Sequence, residues 1–101
     1  MAVRKSSLDK IDVVILTKDS EWMLEKCLDS IYQNVPVNRL IAVDGLSTDN
    51  TLSILHNYGK KYRNVKILAD KGTRATARQK GIESIETEWF MFVDSDVVLC
   101  K

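Results

Sequence analysis

The sequence predicts an α/β fold in which a parallel sheet lies between layers of helices. Short β-branched, apolar segments alternate with longer segments whose apolar residues recur at helical spacing, in the order βαβαβαβ. Strands that alternate with helices are joined by right-handed crossovers and lie parallel in one sheet. The strand segments are apolar almost throughout, as expected of strands covered on both faces. We therefore predict a three-layer α/β/α domain.

The first ten residues are predicted to form a flexible tail, and the domain is predicted over residues 11–101. Its first strand is IDVVILT, residues 11–17. A helix over about residues 20–33 follows, with Asp19 or Ser20 as the N-cap. Four apolar residues form one face of this helix at the i, i+3, i+4, i+7 spacing, namely Leu24, Cys27, Leu28 and Ile31.

Three more strands and two more helices complete the prediction. The helix after the second strand is expected to end near Tyr58, with Gly59 at the position where a glycine commonly stops a helix. The third helix is predicted to open at Gly72 and Thr73 and to run to about Ile85. Its inner face is expected to contain Ala75, Arg78, Ile82 and Ile85. The remaining strands are predicted over residues 39–44, 64–69 and 88–93, the last of them buried.

Composition excludes several classes of protein. The chain carries 15 basic and 14 acidic residues, a net charge of +1, so nothing favours a nucleic-acid-binding or membrane-binding surface. Two cysteines, Cys27 and Cys100, are too few for a disulfide framework or a zinc site, which favours a reducing, cytoplasmic location. No apolar run approaches the roughly 18 residues of a membrane span, and the polar start does not resemble a signal peptide.

Polar residues follow the predicted strands at their carboxyl ends, where open α/β sheets bind ligands. Thr17 ends the first strand, Asp44 ends the second, and Asp94-Ser95-Asp96 ends the fourth. With a strand order of 3-2-1-4, these residues would line one crevice. Side chains two positions apart in an extended segment face the same way, so Asp94 and Asp96 would jointly suit Mg²⁺ or Mn²⁺, with a diphosphate completing the shell. The alternative for this pair is an ordinary turn after a strand.

Two further features have both a functional and a structural interpretation. Arg74 and Arg78 lie at the start of the third helix, and a guanidinium binds phosphate through two parallel hydrogen bonds. For Arg74 the alternative is an exposed basic turn. Asp44 would accept hydrogen bonds from a ribose or a base, or would only cap a turn or helix.

Four segments, in this order, resemble the nucleotide-diphospho-sugar domain of family 2 glycosyltransferases over about residues 11–98. They are IDVVILTKDSEWMLEKCLDSIYQN, RLIAVDGLSTDNTLSIL, ARQKGI and WFMFVDSD. The resemblance implies the GT-A fold and an inverting transfer of a sugar from a UDP- or GDP-linked donor. It also implies the use of Mg²⁺ or Mn²⁺, and it leaves the acceptor unidentified.

The resemblance implies roles for individual residues. Thr17 corresponds to the strand-end residue near the nucleotide base, and Asp44 to the acid that contacts the base or ribose. Arg78, in Ala-Arg-Gln, corresponds to the Ala-Arg-Asn arginine that contacts the nucleotide. Asp94 and Asp96 correspond to the D-x-D pair. In that pair the second acid binds the metal, and the first touches the ribose or the metal shell.

The sequence departs from the family pattern in places. Gly45 stands where a second acid is frequent, and Gly72 lies one residue further from Arg78 than usual. The family's second half, with its acceptor site and catalytic base, is absent. The chain is therefore expected to be the donor-binding portion, without a catalytic residue and inactive alone. The fourth strand, left at a sheet edge, favours self-association.

Three other classes share parts of the pattern. Sugar nucleotidyltransferases carry a Gly-Thr-Arg loop after the first strand, but here Gly72-Thr73-Arg74 follows the third. A noncatalytic nucleotide-binding α/β module would share the fold. So would a response-regulator-like signalling domain, which needs a fifth strand and a lysine well after its phospho-acceptor aspartate. Here Asp70 and Lys71 are adjacent, and no fifth strand is predicted.

Overall fold

The computed structural model describes residues 10–99, which form four strands and three helices in the predicted alternation. The strands are β1 (Ile11–Thr17), β2 (Val37–Asp44), β3 (Val65–Ala69) and β4 (Phe90–Asp94). The helices are α1 (Glu21–Asn34), α2 (Thr51–Tyr62) and α3 (Arg74–Glu83). The strands form one parallel sheet in the order β3-β2-β1-β4, which confirms the predicted fold class and strand order.

The register of the sheet brings the carboxyl ends of the strands level. Thr17 pairs with Asp44, and the preceding Leu16 pairs with Asp94. All four strands run in one direction, so the loops that follow them lie along a single edge of the sheet. That edge carries the polar residues singled out in the sequence.

Helices cover the two faces of the sheet unequally. Helices α1 and α2 cover one face, where a large core is fully buried around Ile15, Leu24, Leu28, Ile31, Leu40 and Leu55. Helix α3 covers the other face, where the core contains Val14, Ile41 and Val43. Among residues 10–99, no helix is long and apolar enough to span a membrane.

Helix α2 continues beyond its predicted end, so the assignment of Gly59 as a helix stop was wrong. Gly59 lies inside the helix, and Arg63 takes the left-handed C-cap conformation with φ 61°. Tertiary packing explains the extra turn, because the ring of Tyr62 stacks on that of Tyr32 with centroids 3.7 Å apart.

The inner face predicted for α3 was wrong at Ala75, Arg78 and Ile82, whereas Ile85, just past the end of the helix, does pack against the smaller core. Arg78 is exposed, and Ile82 is 38% exposed. Ala77 and Gly81 face the sheet instead, because their small side chains let the helix approach it closely. A Cβ atom at Gly81 would lie 2.6 Å from Cγ1 of Val14.

Strand β4 is buried on one face only, which corrects the prediction of a strand covered on both faces. Val93 is 6% exposed in the large core, whereas Phe90 is 43% exposed and the preceding Trp89 is 74% exposed. Helix α3 packs mainly on β1 and β2, so it leaves the outer face of β4 open. The predicted tail, apart from Lys10, and Cys100 lie outside the described residues.

Candidate functional site

Asp44 lies buried at the end of β2 and joins two loops. Its side chain accepts hydrogen bonds from Thr17 Oγ1 at 2.6 Å and from Ser47 Oγ at 2.7 Å, both at Oδ1. Its Oδ2 accepts a hydrogen bond from the Ser47 backbone N–H at 2.8 Å. The structure therefore brings Thr17 and Asp44 together, as the sequence predicted. In this arrangement the Asp44 carboxylate holds the ends of β1 and β2 in place, and its contact with a base or ribose stays a prediction.

The loop that follows β1 is tied to the loop that follows β2. The Asp19 N–H donates to Ser47 Oγ at 2.8 Å, and the Thr48 N–H donates to Asp19 Oδ1 at 2.7 Å. Lys18 Nζ donates to the Leu46 carbonyl at 3.2 Å. Asp19 and Leu46 both have positive φ, a conformation that non-glycine residues adopt uncommonly and that these contacts stabilise.

Asp94 and Asp96 lie on a β-turn, which we call the D-x-D turn (residues 94–97). The strand ends at Asp94, and the Val97 N–H donates to the Asp94 carbonyl at 3.1 Å. The expectation of an extended segment here was wrong, because this hydrogen bond closes the chain back on itself. Asp94 and Asp96 nevertheless line one cleft, together with Ser95 between them, and a joint metal site stays a prediction.

Side chains of helix α1 and of the residue before it contact the D-x-D turn. Ser95 Oγ lies 2.8 Å from Ser20 Oγ, next to the start of α1, and Cys27 Sγ donates to the Asp94 carbonyl at 3.5 Å. Burial raises the pKa of the Cys27 thiol to about 11, and the charges of Asp96 and Asp94 act in the same direction. Cys27 is therefore neutral at pH 7, as expected for the small buried residue that the sequence predicted.

Two adjoining clefts open at this edge of the sheet. The basic cleft, with a volume of about 350 Å³, is lined by residues that include Thr17, Lys18, Asp70, Lys71 and Arg74, so three cationic side chains accompany one acid. The acidic cleft is lined by residues that include Lys18, Arg74, Asp94, Ser95 and Asp96. Small-molecule sites commonly have volumes of about 300 to 1,000 Å³. Cations beside a carboxylate pair suit an anionic ligand that carries its own divalent metal.

The two arginines of α3 are placed differently. Arg74 lines both clefts, and its Nη2 lies 3.3 Å from Asp94 Oδ1. Arg78 lies one turn later and lines neither cleft; its guanidinium stacks over the ring of Phe92, 5.4 Å from the centroid. The structure thus places Thr17 beside Asp44 and the two D-x-D acids on one turn, and neither Asp44 nor Arg78 lines a cleft.

Sequence reasoning missed several residues of the cleft walls, the polar Lys18, Ser20, Asp70 and Lys71 among them. None of these four was assigned to the site, although each lies within four residues of the end of a strand. That position was the available signal, because the loops at the carboxyl edge form the crevice. Arg74 was recognised only as part of a basic helix start.

The side chains present fit a divalent cation that also takes ligands from a bound phosphate. Within residues 10–99 no cluster of three or more histidine, cysteine, aspartate or glutamate side chains forms a closed metal site. Asp94 and Asp96 supply carboxylate oxygens on one turn, and Mg²⁺ or Mn²⁺ accepts one or two such ligands together with phosphate oxygens.

The family model described as "Glycosyl transferase family 2" matches residues 12–100. A poly(ribitol-phosphate) beta-glucosyltransferase of Bacillus spizizenii is 39% identical over 93 residues, which are 86% of this chain and 15% of that protein. The poly(ribitol-phosphate) beta-N-acetylglucosaminyltransferase TarS of Staphylococcus aureus is 32% identical over 98 residues, which are 91% of this chain and 17% of that protein.

Solved structures agree with this match. A crystal structure of S. aureus TarS in complex with UDP superposes with a TM-score of 0.75 at 29% identity, over 87% of this chain and 28% of that chain. The mannosyltransferase PcManGT of Pyrobaculum calidifontis, in complex with GDP-Man and Mn²⁺, superposes with a TM-score of 0.77 at 22% identity, over 88% of this chain and 28% of that chain. The second comparison supports the fold alone. In each comparison this chain spans well under half of the relative's length.

Proposed function

Since the chain belongs to glycosyl transferase family 2, we propose that it forms the donor-binding part of an enzyme that transfers a sugar from a nucleotide-diphosphate sugar to an acceptor hydroxyl. The observation that carries the proposal is the pair of clefts at the carboxyl edge of the sheet. There the acids of the D-x-D turn adjoin Lys18 and Arg74, beside the Thr17–Asp44 contact. This arrangement suits a nucleoside diphosphate with a divalent cation.

A UDP-linked sugar is the proposed donor. TarS, at 29% identity, binds UDP in its crystal structure, and the superposition covers 87% of this chain. A GDP-linked sugar is the alternative that the sequence leaves open. For the individual residues we propose that Thr17 lies near the base, that Asp44 contacts the base or ribose, that Arg78 contacts the nucleotide, and that Asp94 touches the ribose or the metal shell. Asp44 and Arg78 line neither cleft, so their proposed contacts are with parts of the nucleotide that extend beyond the clefts.

Asp96, with Asp94, is proposed to hold Mg²⁺ or Mn²⁺. When bound, the cation would neutralise charge on the diphosphate leaving group. The residues of this chain bind and orient the donor, so that the anomeric carbon is presented to the acceptor. We propose an inverting displacement, in which the acceptor hydroxyl attacks opposite the diphosphate and its proton passes to a general base. No residue of this chain is assigned that role.

Two further proposals concern the self-association and the cellular location of the protein. The edge of β4 is proposed to pair with a second copy, because an exposed strand edge is a template for strand pairing. Phe90 and Phe92 contribute exposed apolar surface there, 43% and 36% exposed. A reducing, cytoplasmic location is proposed from the cysteine content alone.

The test of donor binding is an NMR titration of the ¹⁵N-labelled chain with UDP and with GDP, each with and without Mg²⁺. We expect magnesium-dependent shifts with UDP for amides that line the two clefts. Asp96→Asn should weaken UDP binding in Mg²⁺ about tenfold or more, because a charged ligand contact is lost. Glu83→Gln, which removes one charge from the far end of α3, is the matched control and should bind as the wild type does. A well-dispersed spectrum that neither nucleotide shifts would refute the proposal.

A further inference from the structure

Arg74 stands between the two clefts and touches the D-x-D turn directly. It is the first residue of α3, and its Nη2 lies 3.3 Å from Asp94 Oδ1. Both side chains remain largely exposed, Arg74 at 72% and Asp94 at 61%. Nothing in this arrangement buries the ion pair, so the guanidinium is able to exchange one partner for another.

The charges on the turn explain why Arg74 lies there. Asp94 and Asp96 place two negative charges within one turn, and in the part of the chain that the structure describes Arg74 makes the one ion pair with them. Lys18 also lines the acidic cleft, but its ammonium donates to the Leu46 carbonyl. A divalent cation that binds Asp94 competes with Arg74 for the same carboxylate, and two positive charges at one carboxylate repel each other.

The basic cleft offers the displaced guanidinium a second position. Arg74 lines this cleft together with Lys18, Lys71 and one acid, Asp70. The excess of cationic side chains makes the cleft the natural place for the diphosphate of a nucleotide. An arginine binds phosphate oxygens through paired, charge-assisted hydrogen bonds. The Arg74 side chain can therefore pair with either of two anions. It pairs with the D-x-D turn when the turn holds no metal, and with the diphosphate when the turn holds one.

Resting on the proposed function, we propose that Arg74 is the counter-ion of the metal-free D-x-D turn and transfers to the nucleoside diphosphate when a divalent cation binds. Arg74 thereby couples the two ligands, because cation binding releases the group that the nucleotide needs. Such a coupling is reciprocal, so the nucleotide raises the affinity for the cation by the same factor.

The proposal predicts opposite effects of one substitution on the two ligands. Exposed ion pairs are weak, so removal of the Arg74 charge should strengthen metal binding without nucleotide by about two- to fivefold. Loss of a charge-assisted hydrogen bond to the diphosphate should weaken nucleotide binding in the presence of metal by about tenfold. A general loss of structure would weaken both.

The experiment compares the wild type with Arg74→Gln. The Arg74 side chain is exposed and glutamine favours helices, so the fold should stay intact, which circular dichroism verifies. Mn²⁺ binding is measured without nucleotide from the electron paramagnetic resonance signal of free Mn²⁺, and UDP binding by calorimetry at saturating Mn²⁺. Lys60→Gln is the matched control, because it removes one positive charge from the last turn of α2, at the opposite end of the sheet. It should change neither affinity.

Tighter Mn²⁺ binding together with weaker UDP binding in Arg74→Gln supports the exchange. If the wild type binds both ligands and Arg74→Gln changes neither affinity, or lowers both, this inference is overturned while the proposed function stands. A wild type that binds neither UDP nor GDP in the presence of Mn²⁺ overturns both proposals.

Discussion

Replacing Gly81 with alanine should destabilise the protein, although alanine favours helices. A Cβ atom at this position would lie 2.6 Å from Val14 Cγ1 and 3.5 Å from Val43 Cγ2, and both valines are buried in the sheet. Carbon atoms in good contact lie about 3.5 to 4.0 Å apart, so α3 would have to move outward by roughly 1 Å. Overpacking of this kind costs about 1 to 3 kcal/mol, against a helix-propensity gain of about 1 kcal/mol. We expect a net loss of up to about 2 kcal/mol.

Gly59 offers a matched control in α2. There a new Cβ atom would find only Val65 Cβ, at 3.7 Å, an ordinary van der Waals contact. Gly59→Ala should therefore stabilise the protein by about 1 kcal/mol, through helix propensity alone. Glycine-to-alanine substitution is thus expected to lower stability in α3 and to raise it in α2, because only α3 approaches the sheet so closely.

The assay is urea unfolding followed by far-ultraviolet circular dichroism, with the free energy taken from the midpoint at constant slope. In a double variant, Val14→Ala should remove the clash, so that Gly81→Ala costs less in that background than in the wild type. If Gly81→Ala raises the midpoint as much as Gly59→Ala does, the close approach of α3 does not limit stability, and the reasoning is wrong.

Three other predictions concern the acids and the strand edge. Burial raises the pKa of Asp12, but hydrogen bonds from Glu86 and Asn38 and the charge of Arg39 outweigh it and hold the pKa below its usual value. The stability that Asp12 contributes is therefore present above the unfolded pKa, near 3.8, and is lost as pH falls through the folded value. The free energy of unfolding from urea titration should be lower for Asp12→Asn than for the wild type by about 1 to 3 kcal/mol at pH 7, and this difference should shrink in acid. Asp44→Ala removes three hydrogen bonds and should lower the free energy of unfolding, measured in urea, by about 2 to 3 kcal/mol. A loss below about 0.5 kcal/mol, less than one hydrogen bond contributes, would contradict the role of Asp44 in joining the loops. Light scattering at high concentration should find dimers or larger species of the wild type. Phe90→Lys, which places a charge on β4, should reduce the fraction of these species. A wild type that stays monomeric would rule out pairing through this edge.

Much of the fold and part of the site were predictable from local patterns. The run of residues 11–17 is apolar at five of its seven positions, and the apolar residues between positions 24 and 31 recur at helical spacing, so each segment identifies its own secondary structure. The alternation of these segments restricts the topology to a parallel sheet. Because the strand ends follow from the segments, the sequence also located Thr17, Asp44 and the D-x-D acids at one edge.

The sequence by itself therefore determined the α/β fold, the edge that carries the site, and the family resemblance, because these depend on residue type and spacing along the chain. Tertiary structure decided what depends on neighbours distant in sequence. Stacking of Tyr62 on Tyr32 accompanies the extension of α2 past Gly59, and the close approach at Gly81 turns Arg78 away from the sheet. The position of α3 then decides that Arg74, rather than Arg78, meets Asp94, a contact between residues 20 positions apart that no local pattern contains.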